Sequence, residues 1–244
     1  MAFSLKFNGV TPPPFLKVTG IDQSILPDIE HYNTQVTGAY GSIDGGIEVK
    51  SKQFTVNYMI QFDESIDDTY YVEELSRWCI GNNYKVSKLQ LDDSGYYYKA
   101  RVTDASDFTD SILYGSGSIV FTASDPRKYA PSPTSVSIAN GTTVNYTGLI
   151  PVGPVVTFSA SGTKSVKITN VTTGESILLS DDNITGNITV DCNRKYVAVG
   201  NVKKMKLLSL SNDWVRLFPG NNVFNVTVSG GGISNLKMQY TVCK

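Results

Sequence analysis

Trp214-Val215-Arg216-Leu217-Phe218-Pro219-Gly220 is the stretch whose residue types and spacing could do chemistry. As a strand it places Trp214, Arg216 and Phe218 on one face and Val215 and Leu217 on the other. Arg216 marks the first face as the wetter one. An exposed Trp beside an Arg is a pair that stacks on a sugar ring, so Trp214 and Arg216 are candidates for a carbohydrate or partner contact. The competing reading is scaffold. Pro-Gly with an L-proline favours a type II turn, which splays strands and suits a corner at the end of a sandwich. A Trp beside such a corner plugs the edge of the core. The plug is the leading expectation and the sugar contact the alternative.

The remaining chemistry-bearing residues do not assemble into a catalytic set by spacing. His31 is the single histidine, and no nucleophile and acid can be specified around it. Asp67-Asp68, Glu73-Glu74, Asp92-Asp93 and Asp181-Asp182 are adjacent acids. Neighbours on a strand point to opposite faces, so such pairs are not acid/base dyads. Caps, turns and solvated faces account for them. A glycosidase would have to gather carboxylates from distant positions.

Gly115-Ser116-Gly117 lacks the Lys and helix of a phosphate-binding loop. Gly41 to Gly46 is turn chemistry, and Gly230-Gly231-Gly232 reads as a flexible hairpin tip. Lys203-Lys204-Met205-Lys206 is a short basic cluster without bases' aromatic stacking partners, hence a solvated loop. Cys79, Cys192 and Cys243 are scattered, without metal-ligand spacing, and argue against a disulfide framework. No cofactor or metal is expected, and synthesis in a cytoplasm is.

The elements that must hold these residues are mostly strands. The chain has 244 residues, 41% hydrophobic and 18% charged, enough for a large domain or two smaller ones with real cores. Its net charge of −1 argues against a surface built to neutralise phosphates. No apolar run reaches the roughly 18 residues that span a bilayer. The N-terminus reads as a strand rather than a signal peptide, with Phe3, Leu5 and Phe7 alternating before Asn8-Gly9.

Ile47 to Phe62 reads as one long strand with Phe54, Val56, Tyr58, Ile60 and Phe62 on one face. Tyr96–Val102 and Ser116–Thr122 follow, and Asp92-Asp93-Ser94-Gly95 turns a hairpin from Leu89-Gln90-Leu91 into Tyr96. Tyr71, Leu75 and Trp78, with Val72 and Cys79, carry helical spacing. Ser65 is the expected N-cap and Gly81 the stop. Trp78 is expected to pack on a sheet. Beyond Asp125-Pro126, Ala130-Pro131-Ser132-Pro133 reads as extended linker. Short strands then recur: Val155–Phe158, Val166–Thr169, Ser176–Leu179, Asn187–Asp191, Phe224–Val228 and Leu236–Val242. This suits an antiparallel sandwich. The chain is therefore mainly β, with a helix in its first half, and is expected to divide at residues 1–130 and 131–244.

Taken in order, four stretches resemble the distal tail protein (Dit) of long non-contractile-tailed phages. They are FSLKFNG at the N-terminus, FTASDPRKY (Phe121–Tyr129), GNITVDCNRKYV (Gly186–Val197) and WVRLFPGNNVFNV (Trp214–Val226). The resemblance implies an N-terminal belt domain, a β-sandwich with one helix and a hairpin, that closes into a hexameric ring. It implies a galectin-like β-sandwich on the ring's outside. It further implies a non-enzymatic hub at the virion tail tip, assembled in the host bacterial cytoplasm. The implied partners are other copies of itself, the major tail tube protein, a tail-tip protein, tail-associated lysin or tail fibre, and a receptor-binding protein. DNA would pass through the lumen without specific binding, and no membrane is involved. Some members carry a large carbohydrate module or an arm; no connection here is long enough for either. An open strand edge within Ile47–Phe62, bearing Phe54, Val56, Tyr58, Ile60 and Phe62, is the expected ring interface.

Overall fold

The structure is a computed structural model that describes residues 4–38, 40–63, 65–81, 83–106, 114–210 and 212–244, and the backbone course of 109–110. Phe3, the first residue of the expected opening strand, lies outside them. The chain divides into two compact units, Met1–Lys128 and Tyr129–Lys244. It is mainly β, and among the described residues one α-helix stands in the first unit while the second is built on strands.

In order, the first unit runs β1 (Lys6–Phe7), β2 (Leu16–Gln23), β3 (Ile29–Gln35), β4 (Ser42–Val49), β5 (Lys52–Gln61), α1 (Asp68–Ile80), β6 (Ser87–Gln90), β7 (Tyr97–Ala105), β8 (Thr109–Asp110) and β9 (Tyr114–Tyr129). Six strands form a sheet in the order β1-β6-β7-β9-β5-β2, with β8 added on β9. Among the described residues β3 and β4 pair with each other, as a separate two-stranded sheet. The long strand expected over Ile47–Phe62 is thus two strands in two sheets. The break falls at Lys50-Ser51, between β4 and β5. The hairpin through residues 91–96 forms as expected, with Leu89 opposite Tyr98 and Ser87 opposite Ala100.

Alternation decides which face of the sheet is covered. Phe54, Val56, Tyr58 and Ile60 of β5 meet Ile119, Phe121 and Ala123 of β9 in one core. Helix α1 supplies Tyr71, Leu75, Trp78 and Cys79 to that core, while Val72 is exposed. Trp78 sits edge-on to Phe7 and Phe121, with centroids 6.0 and 6.2 Å away. Its indole N–H donates to the Val10 carbonyl at 3.3 Å. Such aromatic pairs add about 0.5–1.5 kcal/mol each beyond the area they bury.

The N-cap is Asp67, whose Oδ1 accepts from the Thr69 N–H at 3.2 Å. Ser65, the expected cap, instead gives its hydroxyl to Asp63. A carboxylate at this end also meets the helix dipole favourably, which a hydroxyl does not. Gly81 ends the helix with φ +51°.

The second unit contains β10 (Thr134–Ser137), β11 (Thr142–Tyr146), β12 (Val155–Asn170), β13 (Ser176–Asp191), β14 (Tyr196–Val199), β15 (Val202–Lys203), β16 (Gly220–Ser229) and β17 (Gly232–Tyr240). The expected strands 155–158 and 166–169 are one continuous strand, β12, and 176–179 and 187–191 are likewise β13. The two pair along their whole length, with register shifts between Ala160 and Ser165. At that bulge β12 changes its second neighbour. Val155 to Ser161 pair with β17, and Ser165 to Asn170 with β16.

Gly230-Gly231-Gly232 therefore does not close a β16–β17 hairpin as a flexible tip. It is a corner that carries the chain from one half of β12 to the other. A Cβ on Gly231 would lie 2.1 Å from the Ser161 carbonyl oxygen. The segment at Ala130 is not a free linker either: Ala130 is buried, and its N–H donates to the Val242 carbonyl at 2.9 Å.

Candidate functional site

Trp214 to Phe218 alternates as its sequence implies. Val215 and Leu217 are fully buried, Arg216 is exposed, and Trp214 and Phe218 are half-buried. Among the described residues the segment's strand pairing is one bridge, Leu217 to Val152, with backbone hydrogen bonds of 2.8 and 3.1 Å. Arg216 is already engaged. Its guanidinium lies 5.0 Å over the Phe218 ring and its Nε donates to Glu175 Oε1 at 2.8 Å. The Arg216 backbone N–H donates to the other oxygen of the same carboxylate, again at 2.8 Å.

The turn beyond it is organised by a residue that the Trp-centred reading passed over. Asn222 is completely buried. Its Oδ1 accepts from the Phe218 N–H and from Asn170 Nδ2, both at 3.0 Å. Its Nδ2 donates to the carbonyls of Phe218 and Gly220 at 2.7 and 3.0 Å. Asn170, equally buried, also donates to the Arg216 carbonyl at 2.9 Å. The pair satisfies buried backbone groups that no ladder reaches. The Asp191-Cys192 stretch has a related role. Asp191 Oδ1 accepts from the N–H groups of Asn193 and Arg194 at 3.0 and 2.8 Å, fixing the turn from β13 into β14.

The other candidates are dispersed. His31 is exposed on β3, opposite Ile47. Of the acids, Asp67 caps α1, Glu74 pairs with Arg77, Asp92 pairs with Lys128 at 2.5 Å, and Asp181 accepts from the Asp182 N–H. Gly117 is explained by packing, since a Cβ there would lie 2.5 Å from the Tyr58 hydroxyl. Lys203 stacks on Tyr196 at 5.2 Å. Among the described residues no three His, Cys, Asp or Glu side chains are grouped to hold a metal ion. Burial pushes the Cys79 thiol up to about 12. Burial, then the charges of Asp191 and Glu175, do the same to Cys192. No helix among the described residues is long and apolar enough to cross a membrane.

The expected ring edge needs correction. β5 is paired with β2 on one side and β9 on the other, so it has no open edge. Phe54, Val56, Tyr58 and Ile60 point into the unit's own core, and Phe62 packs partly buried against it. Long strands with strict alternation become central strands because both ladders and one face can be satisfied there.

The open surface is the β3–β4 hairpin, in which every residue of both strands is exposed. Ile29 pairs with Val49 and His31 with Ile47, which puts Ile29, Ile47 and Val49 on one face. The other face carries charge. Tyr32 donates to Glu48 at 2.5 Å and Lys50 pairs with Glu30, whose carboxyl it holds below the usual range. The Gly45-Gly46 step, read as turn chemistry, is instead a bulge in β4 opposite Tyr32.

Comparison with known proteins follows the same division. Residues 147–242 match the family of the siphovirus-type tail component, C-terminal domain. No curated protein sequence matches the chain. Among solved structures, the Dit protein (gp 19.1) of SPP1, described as a paradigm of the hub adsorption apparatus in phages infecting Gram-positive hosts, matches over 100% of both chains. The TM-score is 0.78 at 16% identity. The baseplate of phage P2 in its activated conformation with Ca matches over 93% of this chain and 90% of that one. There the TM-score is 0.43 at 11% identity, too low to bear on the fold. Two of the four stretches that carry the resemblance, 186–197 and 214–226, fall inside the matched family region. Residues 147–242 are thus similar to the siphovirus-type tail component C-terminal domain, and the whole chain shares the fold of the SPP1 Dit protein.

Proposed function

We propose that this chain is a structural hub of a phage tail, whose copies close into a hexameric ring joining the tail tube to the tip. The observation that carries the ring is the β3–β4 hairpin. A two-stranded sheet is marginal in water unless a third strand or a packed face supports it. Here Ile29, Ile47 and Val49 are 38%, 58% and 50% exposed on a common face. Another copy of the chain supplies that cover at every position of a closed ring. The first unit is the belt and the second, galectin-like unit decorates its outside.

A net charge of −1 suits a lumen through which DNA slides without phosphate contacts. The hub works without catalysis, in the virion tail tip, after assembly in the host cytoplasm. Its neighbours are the tail tube protein and a tail-tip protein, lysin or fibre, with a receptor-binding protein beyond. The sugar reading of Trp214 gains no support from the geometry, since Arg216 is committed to Glu175 and Phe218. Light scattering and negative-stain imaging of the pure protein test the ring. Closed six-fold particles are expected; a monomer at the highest attainable concentration overturns the reading.

A further inference from the structure

Asn-Gly occurs at two places in the chain, Asn8-Gly9 and Asn140-Gly141, and both pairs are exposed. An Asn followed by Gly is open to attack by its own backbone, because no side chain shields the next amide nitrogen. The fold treats the two pairs differently. The Gly141 N–H is held, donating to the Phe224 carbonyl at 2.8 Å and to Asn225 Oδ1 at 3.3 Å. Asn8 and Gly9 instead form the centre of a turn closed by Phe7 and Val10, whose N–H groups donate to each other's carbonyls at 2.9 Å. Their φ angles of +54° and +80° are those of a two-residue type I′ turn. Among the described residues nothing accepts from the Gly9 N–H and nothing holds the Asn8 carboxamide.

We propose that Asn8 is a site of spontaneous deamidation and that the fold spares Asn140. The Gly9 nitrogen attacks Asn8 Cγ, and a C–N bond forms. The proton lost from that nitrogen is matched by one gained by the leaving carboxamide nitrogen, which departs as ammonia. Water then opens the resulting succinimide at either carbonyl, giving aspartate or isoaspartate at position 8. One water is consumed, one ammonia is released, and nothing is oxidised or reduced. The turn must open for the nitrogen to reach Cγ, and its tie is short. β1 is two residues long and pairs with β6 at Lys6 and Phe7. Short exposed pairings open at low cost. Isoaspartate adds a backbone atom to a turn whose length sets the register of its flanks. The Phe7–Val10 bridge cannot re-form around it, and the Val10 carbonyl that accepts from Trp78 is displaced. Phe7 is buried against the Trp78 and Phe121 rings, so the change loosens this margin of the core.

The test ages the full chain in mildly alkaline buffer, folded and in concentrated urea. Each Asn-Gly peptide is followed by mass spectrometry, with enzymatic methylation to mark isoaspartate. In the folded chain Asn8 should convert at least tenfold faster than Asn140. In urea the two should convert at similar rates, because only local sequence then governs them. Asn8→Gly keeps a Gly-Gly pair suited to the same turn and should age with its melting temperature unchanged, while that of the wild type falls. Equal conversion at the two sites in the folded chain, or faster conversion at Asn140, overturns the proposal. So does an Asn8 that stays intact in the folded chain while converting in urea. An aged wild type that carries isoaspartate at position 8 and melts like fresh protein overturns the loosening of the core.

Discussion

Removing the Asn222 amide strands four polar groups at once: the Phe218 N–H, the carbonyls of Phe218 and Gly220, and one Asn170 N–H. Each buried polar group left without a partner costs about 1–3 kcal/mol, moderated where water enters. Asn222→Ala is therefore expected to destabilise the protein by about 2–4 kcal/mol, read as a fall in urea midpoint at constant slope. Arg216→Ala is the contrast. Its guanidinium is half exposed beside Glu175, and pairs of that kind are worth about 1 kcal/mol or less. A larger loss from Arg216 than from Asn222 would reverse the roles given to them. The burial of Val215 and Leu217 was legible in the sequence, because period two needs only neighbouring residues. The Asn222 role was not, because its partner Asn170 lies 52 residues away and an Asn after Pro-Gly reads as one more turn residue.

At the scale of elements, the corner between β16 and β17 is fixed by backbone proximity. Gly231 has φ +43°, which a side chain tolerates poorly, and its absent Cβ makes room for the Ser161 carbonyl. Gly231→Ala is expected to cost at least about 3 kcal/mol, since neither backbone can retreat without breaking the ladder of β12. A thermal scan within a degree of wild type would refute that account. Sequence patterning missed this corner because Ser159 to Ser165 looks polar and turn-like, whereas the bulge keeps β12 continuous through it. Strand pairing is a property of two segments, and a single sequence displays one segment at a time.

Lys52 shows the same limit in the first unit. It is 8% exposed between the Phe54 and Tyr98 rings, 5.5 and 5.7 Å from their centroids. Burial, then the charge of Lys128, lowers its pKa. Folding thus opposes the charge despite the two rings. Lys52→Met keeps the stem and removes the ammonium, and should raise the melting temperature by about 2–4 °C, the scale of 1 kcal/mol for a chain this long. A fall instead would show that the cation–π contacts outweigh desolvation.

The whole molecule separates what folds each unit from what joins copies together. The core of the first unit draws on β1, β2, β5, β6, β7, β9 and α1, and takes no buried residue from β3 or β4. The hairpin thus adds nothing buried to that core and, on the proposed reading, serves the ring. Its sequence did not disclose this. Ile47 and Val49 merged with the alternation of β5 into one apparent strand and Ile43 fell within the Gly41–Gly46 turn reading, whereas the break at Lys50-Ser51 leaves all three in a sheet apart from β5. Replacing residues 29–49 with a short Gly-Ser turn should leave the melting temperature within about 2 °C of wild type, since little apolar area is lost from the core. The same variant should sediment as a monomer wherever the full chain sediments as a ring. Were it to keep the hexameric mass, the surface closing the circle would have to lie outside the hairpin. Were it to lose both mass and folding cooperativity, the hairpin would belong to the unit's core after all, against the exposure of every residue in its two strands.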